Sequence, residues 1–363
     1  MRVLMVHDEP IVAGYGAEAY VRRLIDGLRA TGDEVDVIDG EIRHTGVGRV
    51  RDVWDPAART LVARRAQRFQ PDVIHFHNIA RELSPSVLTA APDVPAVMTV
   101  HDFRLLGAHE HARFSARGRM ERVVGRRVRT AAAKRLAATV GVSERVSDSL
   151  RRNGFRNVAT VRVPAAEPVT TPISVATCRD VAVVARLARD KGVDVAIEAF
   201  RIATQSDTSE RRLLIAGDGP DRSRLEVQAR QLGDRVEFLG RLDEAAVSGL
   251  LGGVRVVIVA SQSRHRPEGS SLTLAEAAIH GRPAVASADP AVREVSGELG
   301  NALDVATDDP NDFARALRRL LDDDTVTTEL GERGRRNADR LHSVDAVTAA
   351  TREVYRGVIG PKR

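Results

Sequence analysis

The sequence predicts an α/β protein of two doubly wound domains in tandem, each a parallel sheet with helices on both faces. Short apolar runs alternate with longer stretches of helical period along almost the whole chain, and this rhythm is typical of parallel sheets. It lapses once, over residues 164–178, where prolines stand among Thr and Ala in the manner of a linker. The length of 363 residues is enough for two or three domains.

In the first half, apolar runs predict the strands and stretches of helical period predict the helices. A helix follows the first strand over residues 17–31, and a later one runs through Leu150. The predicted strands lie at 2–7, 35–38, 73–77, 96–101 and 138–143. We expect this first domain to span residues 1–165.

The same alternation restarts after the linker. The predicted strands lie at 181–186, 213–216, 236–239, 254–260 and 284–286, and the predicted helices at 194–202, 222–232, 272–280 and 312–321. The second domain is therefore expected over residues 166–343. A last helical pattern, at 344–358, comes after that domain has ended, and we expect residues 344–363 to pack back on the first domain.

Composition favours a soluble, cytoplasmic protein. Hydrophobic residues make up 43% and charged residues 29% of the chain, which is ordinary for a globular protein. The single cysteine, Cys178, excludes an internal disulfide and a four-cysteine zinc site. No apolar run approaches the roughly 18 residues of a membrane-spanning helix. The charged start of the chain does not resemble a signal peptide.

Basic residues concentrate between Arg113 and Arg135. This segment holds nine of them and a single acid, Glu121, in a chain whose net charge is +5. Two interpretations stay open. The segment could be a solvated helix face, or it could be a patch that binds an acidic acceptor or an anionic membrane surface, which would place the protein at the inner face of the membrane. A nucleic-acid partner is not expected, because aromatic residues make up only 3% of the chain and no recognition motif accompanies the arginines.

Ligands of open α/β sheets bind at the carboxyl ends of the strands, so the loops there are the places to search. The first such loop carries Gly14 and Gly16 in a G-x-G-x-x-A pattern, with Asp36 twenty residues beyond Gly16. A dinucleotide site is not expected, because the strand ends near His7 and the glycines do not lie in the tight turn that such a site needs. Gly16 still suits close approach of a phosphate to the following helix.

Three loops of the second domain carry residues suited to a diphosphate. Arg186 ends one predicted strand and Lys191 follows five residues later, and cations at this edge bind anions. Gly217-Asp218-Gly219-Pro220 follows another strand, where glycines allow a turn and close approach of a ligand. Glu268 and Glu276 follow a third strand with E-x7-E spacing, and the serines and threonine between them open a helix whose N-terminus favours an anion.

Taken in chain order, these loops resemble the pattern of the retaining glycosyltransferases of family 4, also called glycosyl transferases group 1. The resemblance extends over nearly the whole chain and is most specific over residues 180–325. The first domain adds three similar stretches: Pro71-Asp72-Val73-Ile74-His75-Phe76-His77-Asn78, Thr99-Val100-His101-Asp102 and Val140-Gly141-Val142-Ser143.

The resemblance implies the GT-B architecture, in which two Rossmann-like domains face each other across a cleft. It implies transfer of a sugar, with retention of anomeric configuration, from a nucleoside-diphosphate sugar such as a UDP- or GDP-sugar to an acceptor hydroxyl. The first domain would bind the acceptor and the second the donor. No metal and no other cofactor would be required.

The resemblance also assigns roles to residues. Glu276 would hold the ribose hydroxyls, Glu268 would contact the donor sugar, and His101 would lie at the reacting centre. The donor diphosphate would be bound by Arg186 and Lys191, by the backbone of Ser271, Leu272 and Thr273, and by the glycine loops at Gly16, Gly217 and Gly219.

Three alternatives stay open. The chain could be a non-catalytic protein of the same fold that docks on an anionic membrane, or a nucleotide-sugar epimerase. A zinc site could be built from His75, His77, His101, His109 and His111, although histidines at strand ends also suit sugar hydroxyls. The acceptor is equally open among a small molecule, a lipid and a polysaccharide.

Overall fold

The computed structural model describes residues 1–7, 10–11, 16–40, 54–77, 79, 83–106, 127, 130–205, 210–262, 267–305 and 309–360. The chain divides into two compact units. The first consists of Met1–Val163 together with Val344–Arg363, and the second of Pro164–Ser343. Within the described part of the chain, no helix is long and apolar enough to cross a membrane.

The first unit is built on a six-stranded parallel sheet in the order β2-β1-β3-β4-β5-β6. Its strands are β1 (Arg2–His7), β2 (Glu34–Asp39), β3 (Val73–His77), β4 (Ala96–Val100), β5 (Ala138–Gly141) and β6 (Val158–Thr160). The register pairs His7 with His77 and His77 with Thr99. His7 and His77 end their strands and Thr99 lies one residue before the end of β4, so these side chains lie together near the carboxyl edge of the sheet.

Among the described residues of this unit before the linker, the α-helices are α1 (Ala17–Ala30), α2 (Pro56–Phe69) and α3 (Glu144–Arg152). Helix α2 was not predicted from the sequence, and its buried face consists only of Ala58, Val62 and Ala66. Its start is fixed instead by Asp55, whose carboxylate accepts from the main-chain N–H groups of Ala57 and Ala58. A proline at its first position also suits a helix start.

The second unit has its own six-stranded parallel sheet, in the order β12-β11-β10-β7-β8-β9. Its strands are β7 (Val181–Val184), β8 (Leu213–Ala216), β9 (Val236–Gly240), β10 (Val256–Val259), β11 (Ala284–Ser287) and β12 (Ala302–Val305). Strands β7, β8, β10 and β11 are buried along their whole length, as expected for strands covered on both faces. Strand β7 ends at Val184, two residues earlier than predicted, which leaves Arg186 in the following loop.

Seven helices described in this unit cover its sheet. They are α4 (Val193–Ala203), α5 (Arg222–Ala229), α6 (Glu244–Gly253), α7 (Leu272–Ile279), α8 (Pro290–Leu299), α9 (Pro310–Asp322) and α10 (Asp324–Leu341). The prediction of one helix over 222–232 was wrong at its end. A 3-10 turn replaces the α-helix from Arg230, and Gly233 leaves the helical region at φ 55° and ψ −137°.

Arg282 contacts the linker, residues 164–178, and holds it against the rest of the second unit. Its side chain is fully buried and donates to the main-chain oxygens of Ile173, Gly252, Val254 and His280. Burial lowers the pKa of this guanidinium from its usual value, so the ring of carbonyl acceptors is what compensates the desolvated charge.

The closing helix, α11 (Val344–Ile359), belongs to the first unit and packs on α1. A Cβ atom at Gly27 would overlap the hydroxyl of Thr348, so the two helices approach closely at this glycine. The Arg352 guanidinium forms an ion pair with the buried Asp33 carboxylate, with Nε 3.0 Å from Oδ2.

Candidate functional site

The loop after β7 holds Arg186 against a buried carboxylate. Nη2 of Arg186 donates to Oδ1 and Oδ2 of Asp190 at 2.8 and 3.1 Å. The Asp190 side chain is only 10% exposed, whereas that of Arg186 is 48% exposed. The main-chain oxygen of Asp190 accepts from the N–H of Gln262, beyond the end of β10. Asp190 therefore fixes an accessible guanidinium at the carboxyl edge of the sheet.

Lys191 and Glu268 contact each other directly. Nζ of Lys191 forms a close ion pair with Oε1 of Glu268, and both side chains are mostly buried. Lys191 ends a short 3-10 turn, after which Gly192 takes the left-handed conformation at φ 60°. A Cβ atom there would overlap the carbonyl oxygen of Ala260, so glycine is needed to bring this turn against the end of β10.

The N-terminus of α7 lies beside the same loop. The Thr273 hydroxyl donates to the main-chain oxygen of Val184, the last residue of β7, at 3.0 Å. Ser271 is the N-cap, and its side chain makes no capping hydrogen bond within the described residues. The first main-chain N–H groups of an α-helix have no partner within the helix. They and the helix dipole therefore favour an anion near Arg186.

Glu276 lies one turn further along α7 and is 7% exposed. Its main-chain oxygen accepts from Nδ1 of His280 at 2.8 Å. Because a carbonyl can only accept, Nδ1 of His280 carries a proton, and its Nε2 is hydrogen-bonded to the Ser248 hydroxyl at 2.9 Å. The end of α7 is thereby tied to α6.

The glycines of the loop after β8 have a packing role. A Cβ atom at Gly217 would overlap the carbonyl oxygen of Ala185, and one at Gly219 would overlap that of Leu187. The main-chain N–H of Leu187 donates to the oxygen of Asp218 at 2.9 Å. The two glycines thus support the loop that carries Arg186, in addition to any direct contact with a ligand.

The first unit gathers histidines at the edge of its sheet. His75 bonds the Tyr355 hydroxyl through Nδ1 at 2.6 Å and the Thr99 hydroxyl through Nε2 at 2.8 Å. Nδ1 of His77 lies 3.0 Å from Nε2 of His101, at hydrogen-bond distance. Burial, and to a lesser extent the neighbouring His101, lowers the pKa of His75 to about 3. His75 is therefore neutral at physiological pH.

The described residues contain no group of three or more His, Cys, Asp or Glu side chains arranged to hold a metal ion. Of the five histidines considered for zinc, His109 and His111 lie outside the described residues. Of the remaining three, His75 uses its ring nitrogens to bond Tyr355 and Thr99. His77 and His101 bond each other through one ring nitrogen each.

Gly16 is the N-cap of α1, at φ 76°, and its main-chain oxygen accepts from Tyr20. Its neighbour Gly14 lies outside the described residues. Of the basic segment 113–135, the structure describes only residues 127 and 130–135, so most of the residues behind its two open interpretations lie outside the described chain.

The sequence analysis missed Asp190, although it stands directly before Lys191. Its position four residues after Arg186 could have indicated the pair, since an acid at that spacing can reach back across a turn. It also missed the bond between His77 and His101, because that bond depends on how β3 and β4 pair.

Comparison with known proteins gives two family matches. Residues 15–165 match the model described as Glycosyltransferase Family 4, and residues 176–337 match the model described as Glycosyl transferases group 1. The chain belongs to the group 1 glycosyltransferases. The prediction of a glycosyltransferase from the sequence is confirmed, and neither the epimerase nor the non-catalytic alternative is favoured.

Curated relatives of this glycosyltransferase include three enzymes from Streptomyces. It is 25% identical to an alpha-D-kanosaminyltransferase of Streptomyces kanamyceticus, over 84% of this chain and 82% of that one. It is 26% identical to a 2-deoxystreptamine N-acetyl-D-glucosaminyltransferase of Streptomyces fradiae, over 87% and 78%. A 2-deoxystreptamine glucosyltransferase of Streptomyces kanamyceticus is 24% identical, over 88% and 86%.

Solved structures show the fold of this glycosyltransferase. A glycosyltransferase from Rickettsia africae superposes with a TM-score of 0.73 at 14% identity, covering 99% of both chains. A sucrose-phosphate synthase from Thermosynechococcus elongatus gives 0.71 at 21% identity, covering 98% of both. Anabaena HepE in complex with UDP and glucose gives 0.70 at 18% identity, covering 97% of this chain and 98% of that one. The predicted GT-B fold of two Rossmann-like domains is confirmed.

Proposed function

We propose that this enzyme transfers a hexose from a UDP- or GDP-sugar to an acceptor hydroxyl, with retention of anomeric configuration and without a metal ion. One observation carries the proposal: Arg186, Lys191 and the N-terminus of α7 converge at the carboxyl edge of the second sheet. Two cations and a helix N-terminus together are suited to a diphosphate.

This arrangement supports departure of a nucleoside diphosphate. As the bond from sugar to phosphate breaks, negative charge develops on the diphosphate. Fixed cations and main-chain N–H groups stabilise that charge more strongly in the transition state than in the ground state. Asp190 holds Arg186 in place before the donor arrives, so little reorganisation is needed when the charge develops.

The two glutamates are proposed to contact the two ends of the donor. Glu268 would accept hydrogen bonds from the transferred sugar while it pairs with Lys191, whose ammonium has further N–H groups for a phosphate oxygen. Glu276, one turn into α7, would accept from the ribose hydroxyls. In the first unit, His101 and Gly16 are proposed to contact the donor, as the family resemblance implies.

The relatives support a glucose-type donor and a polyhydroxylated acceptor. Two of them are named for transfer of glucose or N-acetylglucosamine to 2-deoxystreptamine. Another is a lipopolysaccharide core glycosyltransferase of Rhizobium meliloti. HepE has been solved with UDP-glucose. We therefore propose that UDP-glucose and UDP-N-acetylglucosamine are the first donors to test.

The donor class is tested by thermal melting with UDP-, GDP-, dTDP- and ADP-sugars in EDTA. A ligand at a hundredfold excess over its Kd stabilises the folded protein by roughly 2.7 kcal/mol. A rise in Tm with a UDP- or GDP-sugar, together with release of nucleotide in EDTA, is expected. A requirement for added Mg²⁺ would contradict the metal-independent part of the proposal.

Lys191→Ala and Glu268→Ala are expected to lower transfer by at least about a hundredfold, because each removes a group from the charge-stabilising site. Both variants should still melt cooperatively, since neither side chain belongs to the core. The matched control is Arg336→Ala, which removes a 70% exposed cation from α10. Wild-type activity in either site variant would refute the assigned roles.

A further inference from the structure

The two rings of His77 and His101 face each other through one nitrogen each. Nδ1 of His77 lies 3.0 Å from Nε2 of His101, which is hydrogen-bond distance. Between two neutral imidazoles, one of these nitrogens carries the proton and the other accepts it. The direction of this bond therefore decides which nitrogen of His101 is protonated.

His77 is neutral. It is fully buried, and burial is the main cause that holds its pKa well below the usual value, with repulsion from His75, His101 and His7 adding to it. The Tyr20 ring also packs against it, with ring centroids 5.7 Å apart. A neutral His77 has a single N–H, on Nδ1 or on Nε2.

The surroundings of His77 favour the proton on Nδ1. Its Nε2 is buried and has no hydrogen-bond partner among the described residues. A proton there would leave a buried N–H without an acceptor, and such groups are rare in native proteins. A buried acceptor without a partner is less rare than a buried N–H without one, so the unprotonated form of Nε2 is favoured.

We propose that His77 donates its Nδ1 proton to Nε2 of His101 and thereby holds His101 as the Nδ1–H tautomer. The inference deepens the proposed function, on which it rests, because there His101 contacts the transferred sugar. His101 then carries its N–H on Nδ1, and its Nε2 lone pair is occupied by His77. His77 is a positioning residue, and His101 orients the substrate rather than removing a proton with Nε2.

The direct test is the tautomer of His101 in the ligand-free wild-type protein. With ¹⁵N-labelled histidine, long-range proton–nitrogen NMR distinguishes a protonated from an unprotonated ring nitrogen, and His101→Gln assigns the signals. Protonated Nδ1 and unprotonated Nε2 are expected at pH 7.5. A protonated Nε2 would overturn the inference. This readout needs no transfer, so it is separate from the test of the proposed function.

Two variants test whether His77 sets this state. His77→Asp presents only an acceptor to His101. His77→Leu presents neither donor nor acceptor, and because it adds no charge it serves as the second variant in case the buried carboxylate of His77→Asp prevents folding. In both, the His101 signals should move toward the Nε2–H form. Tyr20→Phe keeps the ring that packs edge-on against His101 at 4.9 Å and should leave the tautomer unchanged.

Kinetics provide the second readout. We expect His77→Leu to lower kcat by about tenfold or more while the KM for the donor changes less than about threefold, because orientation at the reacting centre acts on the chemical step. An unchanged tautomer in the folded variants, or a change confined to KM, would show that His77 only fills space.

Discussion

Asp190 is a single residue that links two parts of the candidate site. It accepts both hydrogen bonds from Arg186 and, through its main chain, one from Gln262. Because the carboxylate is nearly buried, its charge is compensated chiefly by this guanidinium. The position of Arg186 thus depends on a residue that need not touch the substrate.

Asp190→Asn is expected to raise the KM for the donor by about tenfold, since an ion pair with two hydrogen bonds is exchanged for a weaker bond from the guanidinium to a neutral amide. The measurement is initial-rate kinetics at varied donor concentration, with Tm as a check on folding. Asp194→Asn is the matched control, because that carboxylate is 40% exposed and pairs with Arg224 instead. A donor KM equal to that of the control would mean that Arg186 is positioned without Asp190.

At the scale of elements, contacts between loops shape the donor site. Loop 185–187 and loop 217–219 pack main chain to main chain, and Thr273 ties the first turn of α7 to the end of β7. The contact of Thr273 with Val184 joins residues that are 89 positions apart in the chain. The main-chain packing of the two loops explains why glycine stands at Gly217, where φ is +136°.

Gly217→Ala is expected to destabilise the second unit by about 2–4 kcal/mol, from unfavourable backbone conformation and overlap with the Ala185 carbonyl. Thermal or urea unfolding measures the change. Gly249→Ala is the matched control: it lies within α6 with no atom within 4 Å of the added Cβ. That control should stabilise by about 0.5–1 kcal/mol. Equal stability of the two variants would exclude the proposed packing role.

At the scale of the whole molecule, the first unit carries a pH dependence of its own. His75 is buried and neutral, with a pKa of about 3 in the folded protein against roughly 6.5 when unfolded. The unfolded chain binds the proton more readily, so stability is highest above pH 6.5 and falls as the pH drops from 6.5 toward 3. The loss is up to about 1.4 kcal/mol per pH unit for this residue.

The fluorescence of Trp54, the chain's single tryptophan, reports on this unit. In urea unfolding followed by Trp54 fluorescence, the urea concentration at the midpoint should be lower at pH 5.0 than at pH 7.5. His75→Gln keeps an amide that can bond Tyr355 and Thr99 but removes the titrating ring, so its midpoint should fall less. The same pH dependence in both proteins would assign the effect to other groups.

Strands buried on both faces were the easiest elements to predict, because burial on both faces makes them continuous apolar runs. All ten predicted strands are present. The missed strands β6 and β12 lie at the edges of their sheets, and none of their side chains is fully buried. Among the missed helices, α10 buries only Thr327, Leu330, Gly331, Gly334 and Ala338. Such elements bury few large apolar side chains, so they leave little periodic signal.

Ten of the twelve described strands, the glycosyltransferase family and the residues proposed for the donor site could be named from the sequence alone. These follow from apolar pattern and local spacing, which are properties of neighbouring residues. Only the tertiary structure decided that Asp190 holds Arg186, that Lys191 pairs with Glu268 and that His77 bonds His101. The last two join residues 77 and 24 positions apart. Strand order and register bring such residues together, and no local pattern encodes that.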